Sequence, residues 1–379
     1  MEYKTNRPMS GKKRRSGKKR SKTSHLLVHM VLCIIALSAL TGCIILLVQN
    51  HRLQQEAVQA MARVEQIEEE TKAIKFTEEE ANAIAESMAA QAAQDAAVEA
   101  EVALLDTLKD QMINGDGTVQ MLRYFFPDEV VVYSDATYHF IPISENLKKH
   151  SYIYDNFIQD ENQIVTYFDE DGSQASIKGI DVSKYQGSIN WSKVAQDGVE
   201  YAFIRVGFRG ATEGQLVEDE TFETNMAGAT KNGIHVGAYF FTQALTEAEA
   251  VEEAEYVLDA LRPYDITYPV VIDVEDVGTK NPRTKDMTKE DWTKITIAFC
   301  ERIKEAGYTP MIYGNLKTFM LMLDLEQLED YEKWYANFAV PFYFPYDFSI
   351  WQYTSTGKVN GIKGEVDINV SMKDFGLVE

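Results

Sequence analysis

The sequence lacks several features that define common protein classes. Its 379 residues include only three cysteines, too few for a scaffold held together by disulfide bonds. Lys and Arg number 37 against 59 Asp and Glu, and the net charge of -22 argues against nucleic acid as a partner, because phosphate binding needs clustered cations. No glycine-rich phosphate loop is present, and no His and Cys residues have metal-ligand spacing. We therefore expect neither a cofactor nor a metal ion.

The charge is distributed unevenly along the chain. Residues 1–25 form a basic tail with ten Lys or Arg and one acid. Leu26–Val48 then contains no Asp, Glu, Lys or Arg, and as a helix it would span about 34 Å, enough for a bilayer core of about 30 Å. Because basic residues stay on the cytoplasmic side, we expect a single transmembrane anchor with a cytoplasmic N-terminus and the rest of the chain outside the cell membrane.

A second interpretation of this segment is a lipoprotein signal. Leu40-Thr41-Gly42-Cys43 is similar to a bacterial lipobox, in which Cys43 would be lipidated after cleavage. The apolar run continues beyond Cys43, and the basic leader is long for a signal peptide, so an uncleaved anchor is favoured. Either interpretation tethers the chain outside the cell.

Residues 49–114 predict a helical stalk. His51–Met112 has 15 Ala and neither Gly nor Pro. Thr77-Glu78-Glu79-Glu80 predicts a capping box at the start of a second helix. A solvated spacer is one interpretation. The other is a coiled coil that forms a homo-oligomer or recruits a division or transport complex, since apolar residues follow heptad spacing at Leu53, Ala57, Ala60, Val64, Ile67 and Ile74.

Residues 115–177 predict a small β-rich subdomain. Its strand candidates are Val130–Tyr133, Tyr138–Ile141 and Gln163–Phe168, which are short β-branched and aromatic runs between turn residues. The region contains no chemical motif, so we expect a spacer or a packing subdomain.

Residues 178–379 alternate strand-like runs with amphipathic stretches, which predicts an α/β fold. Helices are expected at Thr221–Asn232, Glu247–Leu261 and Lys289–Glu305. This order predicts a parallel β/α barrel, and about 200 residues is short for that fold, so some outer helices should be missing. The strand candidates are Gly179–Val182, Tyr201–Val206, His235–Phe241, Pro269–Val274, Pro310–Tyr313, Trp334–Phe338, Ile350–Tyr353 and Val366–Val370.

Two carboxylates follow the most apolar of these strands. Asp273 and Glu275 are two residues apart, so they face the same side with Cα atoms about 6.5–7 Å apart. In a β/α barrel, catalytic groups lie at the carboxyl ends of strands. Close carboxylates raise each other's proton affinity, which lets one act as an acid, as glycosidic cleavage requires. A metal site and a solvated strand end are the alternatives.

Further acids and aromatic residues occur at other strands. Asp181 lies in the first strand and Asp367 in the last, and in a closed barrel these strands are neighbours, so both acids can reach one pocket. Phe203, Phe240 and Phe338 fit the core better than a binding site. Aromatic faces that could stack on sugar rings are expected from Tyr239, Phe241, Tyr313, Trp351 and Tyr353.

These residues belong to an ordered series of motifs. Gly179-Ile180-Asp181-Val182-Ser183-x-x-Gln186-Gly187 resembles the opening of glycoside hydrolase family 25, the lysozymes related to the Chalaropsis enzyme and cellosyl. Phe203-Ile204-Arg205, Ile272–Glu275, Trp351-Gln352-Tyr353 and Gly364–Asn369 continue the resemblance, which covers about residues 178–375. It implies a flattened β/α barrel with few outer helices. It also implies cleavage of the β-1,4 bond between N-acetylmuramic acid and N-acetylglucosamine in peptidoglycan.

The resemblance also implies roles for individual residues. Glu275 would be the general acid, and Asp273 would assist the substrate N-acetyl group as internal nucleophile. Asp181 and Asp367 would complete the acidic cleft, and Gln186 would join the aromatic residues in binding substrate. The expected protein is a membrane-anchored muramidase facing the wall of a Gram-positive-type bacterium. A non-catalytic wall-binding scaffold and a chitinase-like hydrolase are the alternatives.

Overall fold

The computed structural model describes residues 45–69, 77–114, 118–339 and 342–377. The chain divides into two compact units, Met1–Leu104 and Leu105–Glu379. The predicted basic tail, Cys43 and most of the predicted transmembrane segment lie outside the described residues. Within the described ranges, no helix combines the length and the apolar character needed to cross a membrane.

The predicted stalk is helical where it is described. Residues 45–69 form helix α1, and Glu78–Asn114 forms helix α2. The predicted capping box is confirmed, because the Thr77 amide donates to Glu80 Oε2 at 2.9 Å and the Glu80 amide donates to Thr77 Oγ1 at 3.4 Å. Leu53 and Val64 of the predicted heptad are exposed, and Ile74 lies outside the described residues. Self-association of the stalk stays a prediction.

The second unit places a helix and two hairpins ahead of the barrel. Helix α3 (Thr118–Phe125) precedes an antiparallel hairpin of β1 (Glu129–Ser134) and β2 (Thr137–Pro142). A second hairpin pairs β3 (Phe157–Gln159), which was not predicted, with β4 (Val165–Tyr167). The apolar side chains of these hairpins belong to the same core as the barrel, so the predicted β-rich region packs directly on it.

Eight strands then close into a barrel. Strand β5 (Ile177–Val182) pairs with both β6 (Tyr201–Arg209) and β13 (Val366–Ser371), which joins the first strand of the barrel to the last. The short β7 (Leu216–Glu218) extends β6 from outside the closed ring. All eight predicted strands are confirmed with small shifts at their ends. They are β5 (Ile177–Val182), β6 (Tyr201–Arg209), β8 (His235–Phe241), β9 (Val270–Asp273), β10 (Pro310–Asn315), β11 (Glu332–Ala336), β12 (Ile350–Gly357) and β13 (Val366–Ser371).

The prediction that the barrel is parallel is wrong for its last strand. Strand β13 runs antiparallel to both β12 and β5. Only residues 358–365 connect β12 to β13, and a parallel crossover needs a dozen or more residues, so the chain returns as a hairpin. The start of β13 therefore lies beside the end of β5, where Asp367 is the register partner of Asp181.

The outer layer contains fewer helices than a complete β/α barrel, as expected. The predicted helices are confirmed as α5 (Phe222–Lys231), α6 (Glu247–Leu261) and α7 (Lys289–Glu305), and the short α4 (Trp191–Gln196) was not predicted. Between β10 and β11, where a complete β/α barrel would have an outer helix, the chain forms only two short helical turns, Thr318–Met322 and Leu325–Leu328. Large aromatic side chains fill the barrel interior, and a second apolar layer lies between the strands and the outer elements.

Candidate active site

Four carboxyl groups meet in one cavity at the end of the barrel. The cavity has a volume of about 180 Å³ and brings together the four predicted acids. A wider depression of about 930 Å³ beside α4 and α5 has no acidic residue in its lining, so chemistry rather than size marks the candidate site. The cavity is lined by Asp181, Tyr239, Asp273, Glu275, Tyr313, Trp334, Gln352 and Asp367.

Strand register explains why these acids meet. Asp273 is the last residue of β9 and pairs in register with Tyr313 of β10. Val274 is fully buried, and Asp273 and Glu275 on either side of it both line the cavity, as the alternation of side chains predicts. On the opposite side of the barrel, the antiparallel pairing of β13 with β5 adds Asp367 and Asp181.

A buried hydrogen-bond network supports Asp181. Its Oδ2 accepts from Asn369 Nδ2 at 2.8 Å and from Gln352 Nε2 at 2.9 Å. The same two amides hold aromatic side chains of the cavity, because Tyr313 OH donates to Gln352 Oε1 at 2.8 Å and Trp334 Nε1 donates to Asn369 Oδ1 at 2.7 Å. The network therefore fixes the acid and the aromatic lining relative to each other.

Burial raises the proton affinity of all four acids. Burial raises the pKa of Asp181 to about 6, although the hydrogen bonds from Asn369 and Gln352 lower it. Burial, followed by the charge of Asp181, raises the pKa of Asp367 to about 8. Burial and the carboxylate of Glu275 raise the pKa of Asp273 well above its usual range, and burial raises the pKa of Glu275 as well. The cavity therefore retains protons near neutral pH, which a general acid needs.

The loop after β5 is held by an ion pair, and this gives Gln186 a structural contact. Arg205 Nε donates to Asp219 Oδ2 at 2.8 Å, and the amide of Lys184 donates to the same oxygen at 3.0 Å. Gln186 Oε1 accepts from the Ser183 amide at 2.9 Å, which caps the short turn Lys184–Gln186. Gln186 does not line the cavity, so its predicted contact with substrate has no support from this geometry.

The predicted aromatic residues divide into two groups. Tyr239 and Tyr313 line the cavity as expected. Phe241 is half-buried opposite Asp273 on β8 and does not line it. Trp351 and Tyr353 are buried in the outer apolar layer, so the structure places them away from the cavity.

The phase of strand β12 explains this difference and identifies residues that the prediction missed. Side chains alternate along a strand, so Trp351 and Tyr353 share the outer face, whereas Gln352 between them points into the barrel. The sequence did contain a signal for this face, because Gln352 is a polar amide within an otherwise apolar strand. Trp334 was also missed as a lining residue. Its ring lies 4.5 Å from that of Phe203 and 4.5 Å from that of Tyr313.

A second cavity adjoins the first at Glu275. It has a volume of about 450 Å³ and shares Glu275 and Tyr313 with the acidic cavity. Phe338, which was expected in the core, lines this second cavity with 57% of its side chain exposed. Among the four acids, Glu275 alone lines both cavities, so it lies between two spaces that ligand could occupy.

Comparison with known proteins agrees with this geometry. Residues 180–362 match the model of glycosyl hydrolases family 25. Lysozyme M1 of Streptomyces globisporus is 28% identical over 221 residues, covering 52% of this chain and 67% of that protein. The N,O-diacetylmuramidase of a Chalaropsis species is 27% identical over 213 residues, covering 51% of this chain and 96% of that protein.

A solved structure was also compared with this chain. The modular autolysin LytC from Streptococcus pneumoniae, solved in complex with a synthetic peptidoglycan ligand, is 22% identical. Its TM-score is 0.48, with 64% of this chain and 57% of that chain covered. The chain therefore spans little more than half the length of that autolysin.

Proposed function

Since residues 180–362 form a glycosyl hydrolase family 25 domain, we propose that this glycoside hydrolase is a peptidoglycan muramidase that acts from a membrane tether. It would hydrolyse the β-1,4 bond between N-acetylmuramic acid and N-acetylglucosamine. The observation that carries the proposal is the group of four carboxyls with raised pKa values around one cavity, of which Asp181 and Asp273 are buried and the other two are half-buried. The relatives named lysozyme and N,O-diacetylmuramidase support the choice of substrate.

In this proposal Glu275 is the general acid. It lines both cavities, so a glycan that occupies them would place its scissile oxygen beside this carboxyl group. Burial favours the protonated form of Glu275, which is the form that can donate to the leaving oxygen. After donation the carboxylate can activate a water molecule for the second half of the reaction.

Asp273 acts on the substrate N-acetyl group in the same proposal. Its Oδ1 is buried and has no hydrogen-bond partner within the described protein. A carboxyl oxygen in that state can accept the N–H of a substrate acetamido group and orient the acetamido oxygen for attack. Asp181 and Asp367 face Asp273 across the cavity and keep the local proton affinity high.

The tether is the second part of the proposal. The uncharged run Leu26–Val48 and the ten basic residues before it support a single transmembrane helix with the enzyme outside the cell membrane. Helix α1 and helix α2 would then belong to the predicted stalk. Protease treatment of intact protoplasts tests this: loss of the barrel from the outside supports the topology, and full protection contradicts it.

The catalytic part is tested by measuring reducing ends released from purified peptidoglycan. Wild-type protein should release them, and Glu275→Gln should reduce the rate by at least about a hundredfold, because general acid catalysis contributes about 10²–10⁴-fold. Glu305→Gln, at the exposed end of α7, is the matched control. Unchanged activity of Glu275→Gln in a folded protein would refute the assignment.

The same assay separates the alternatives. Cleavage of chitin in preference to peptidoglycan would indicate a chitinase-like hydrolase. Wall binding by the wild type without any release of reducing ends would indicate a non-catalytic scaffold. The four acids and the enclosed cavity give the muramidase its advantage over the scaffold.

A further inference from the structure

The second cavity is built partly by residues outside the family-matched segment. Helix α3 and strand β1 precede residue 180, and they form the wall that faces Glu275 across the cavity. From this wall come Val119, Arg123, Val132 and Tyr133, and from the barrel side come Glu275, Tyr313, Asn315, Leu316, Lys317, Ala336, Asn337 and Phe338.

This wall is attached to the barrel at two places. Tyr343 OH accepts from the Val131 amide at 3.3 Å and donates to the Glu129 carbonyl at 3.0 Å. At the tip of the β1–β2 hairpin, Lys317 pairs with Asp135 at 3.1 Å and also with Asp276, the residue after Glu275. The wall is therefore held in a defined position next to the proposed general acid.

The cavity contains one cation whose charge is not matched by a carboxylate. Lys317 is neutralised by its two ion pairs. Arg123 takes part in none of the ion pairs among the described residues, and its guanidinium carbon lies 3.5 Å from the centre of the Tyr343 ring. Arg123 Nε is buried and has no hydrogen-bond partner within those residues. An arginine in this state has unused donors for an anion, and its planar fork suits a carboxylate.

Aromatic and amide groups complete the lining. Phe338 is 57% exposed and Tyr133 is 54% exposed, so both present aromatic surface at this cavity. Asn315 and Asn337 add amides that can bond to hydroxyl or peptide groups. At about 450 Å³ the cavity lies in the size range of small-ligand sites.

We propose that the α3–β1 wall forms a binding site for the carboxylate-bearing part of the substrate strand, with Arg123 holding the carboxylate and Phe338 and Tyr133 packing against the attached sugar or peptide. This inference rests on the proposed function, because it assumes a peptidoglycan strand that passes Glu275. In such a strand the carboxylate comes from the lactyl group of muramic acid or from the peptide attached to it. The site would make the enzyme selective for strands that carry that charge.

The test compares Arg123→Gln with the wild-type full chain on three soluble glycans. The first carries peptides, the second has free lactyl carboxylates after peptide removal, and the third has those carboxylates converted to amides. A charge-assisted hydrogen bond is worth roughly tenfold or more, so kcat/KM should fall about tenfold on a carboxylate-bearing glycan relative to the amidated one, mostly through KM. Arg262→Gln, an exposed arginine at the end of α6, is the matched control.

The pattern of loss identifies the carboxylate. A selective loss on the peptide-bearing glycan alone assigns the peptide carboxylate, and a selective loss on the peptide-free glycan alone assigns the lactyl carboxylate. A selective loss on both charged glycans shows that Arg123 accepts either carboxylate. An equal loss on all three glycans, or no loss, overturns the proposal. No cleavage of any glycan by the wild type would instead refute the proposed function.

A second variant covers the case in which Arg123→Gln fails to fold. Phe338→Ala removes an exposed side chain, and we expect it to raise KM for the charged glycans severalfold. Tyr124→Ala is its control, because Tyr124 is 60% exposed on α3 but does not line the cavity. Calorimetric binding of a peptide-bearing glycan fragment in the Glu275→Gln background gives a readout independent of turnover. Equal affinity with and without Phe338 would count against the site.

Discussion

Relative to wild type, Asp181→Asn should gain stability as the pH rises from about 3 to about 6 and should keep that gain at higher pH. The wild-type carboxyl is buried, and burial raises its pKa from 3.8 to about 6. Below about pH 3 this group is largely protonated in both the folded and the unfolded chain. Between about pH 4 and pH 6 the unfolded chain releases the proton while the folded chain retains it, so the wild type loses stability as the pH rises.

The magnitude follows from the size of this increase. About two pKa units at about 1.4 kcal/mol per unit correspond to roughly 3 kcal/mol at pH 7. The variant carries no such group, so the difference in unfolding free energy between variant and wild type should grow by about 3 kcal/mol from pH 3 to pH 7. Removing the charge of Asp181 also relieves Asp273 and Glu275, which acts in the same direction.

The assay is urea denaturation followed by tryptophan fluorescence at several pH values between 3 and 8. Asp286→Asn, an exposed aspartate outside the cavity, is the matched control. A pH-independent difference between Asp181→Asn and wild type would refute the argument that burial raises the proton affinity of this acid. If the same variant is more stable but inactive, the buried carboxyl of Asp181 lowers stability and is needed for activity.

Three further predictions concern other parts of the second unit. Ala136 has a φ of 58° at the tip of the β1–β2 hairpin, so Ala136→Gly should stabilise the protein by up to about 1 kcal/mol in urea denaturation, and destabilisation would contradict the strain. Arg209 pairs with the buried Glu253 at 2.7 Å, and Arg209→Met would leave that carboxylate buried without its partner. The free energy of unfolding should therefore fall by about 3–5 kcal/mol, and an unchanged melting temperature would contradict this. Gln352→Met removes a donor to Asp181 and should raise the pKa of that acid by about one unit in a ¹³C NMR titration, whereas an unchanged pKa would contradict the role of the network.

The barrel strands were predictable because each is an apolar run bounded by polar or turn residues. The direction of β13 was not, since a strand pattern does not encode its orientation. The short connection after β12 held that information, because residues 358–365 are too few for a helical crossover. The consequence for the site is large, because only the antiparallel direction places Asp367 in register with Asp181.

The acids of the candidate site were predictable, whereas half of its other lining was not. Asp273 ends a fully buried strand and Glu275 lies two residues further on, and a carboxylate in such a position is a strong signal. Trp351 and Gln352 are adjacent, and the face that each occupies depends on the phase of the strand relative to the barrel interior. A run that is apolar on both faces leaves this phase undetermined.

The position of the α3–β1 wall could not be predicted from local patterns. Its attachment depends on contacts between residues more than 200 positions apart, such as those of Tyr343 with Glu129 and Val131. The exposure of Phe338 could not be predicted either, because an aromatic residue at the end of a strand is usually buried. Contacts of this kind are visible only when the whole unit is assembled.

The most direct test of the proposed function is to identify the bond that is cut. Products from purified peptidoglycan are reduced with borodeuteride, which labels the new reducing end, and are then analysed by mass spectrometry. The proposal predicts deuterium on N-acetylmuramic acid with wild-type protein and no labelled product above background with Glu275→Gln. Deuterium on N-acetylglucosamine, or equal labelling by the variant, would contradict it.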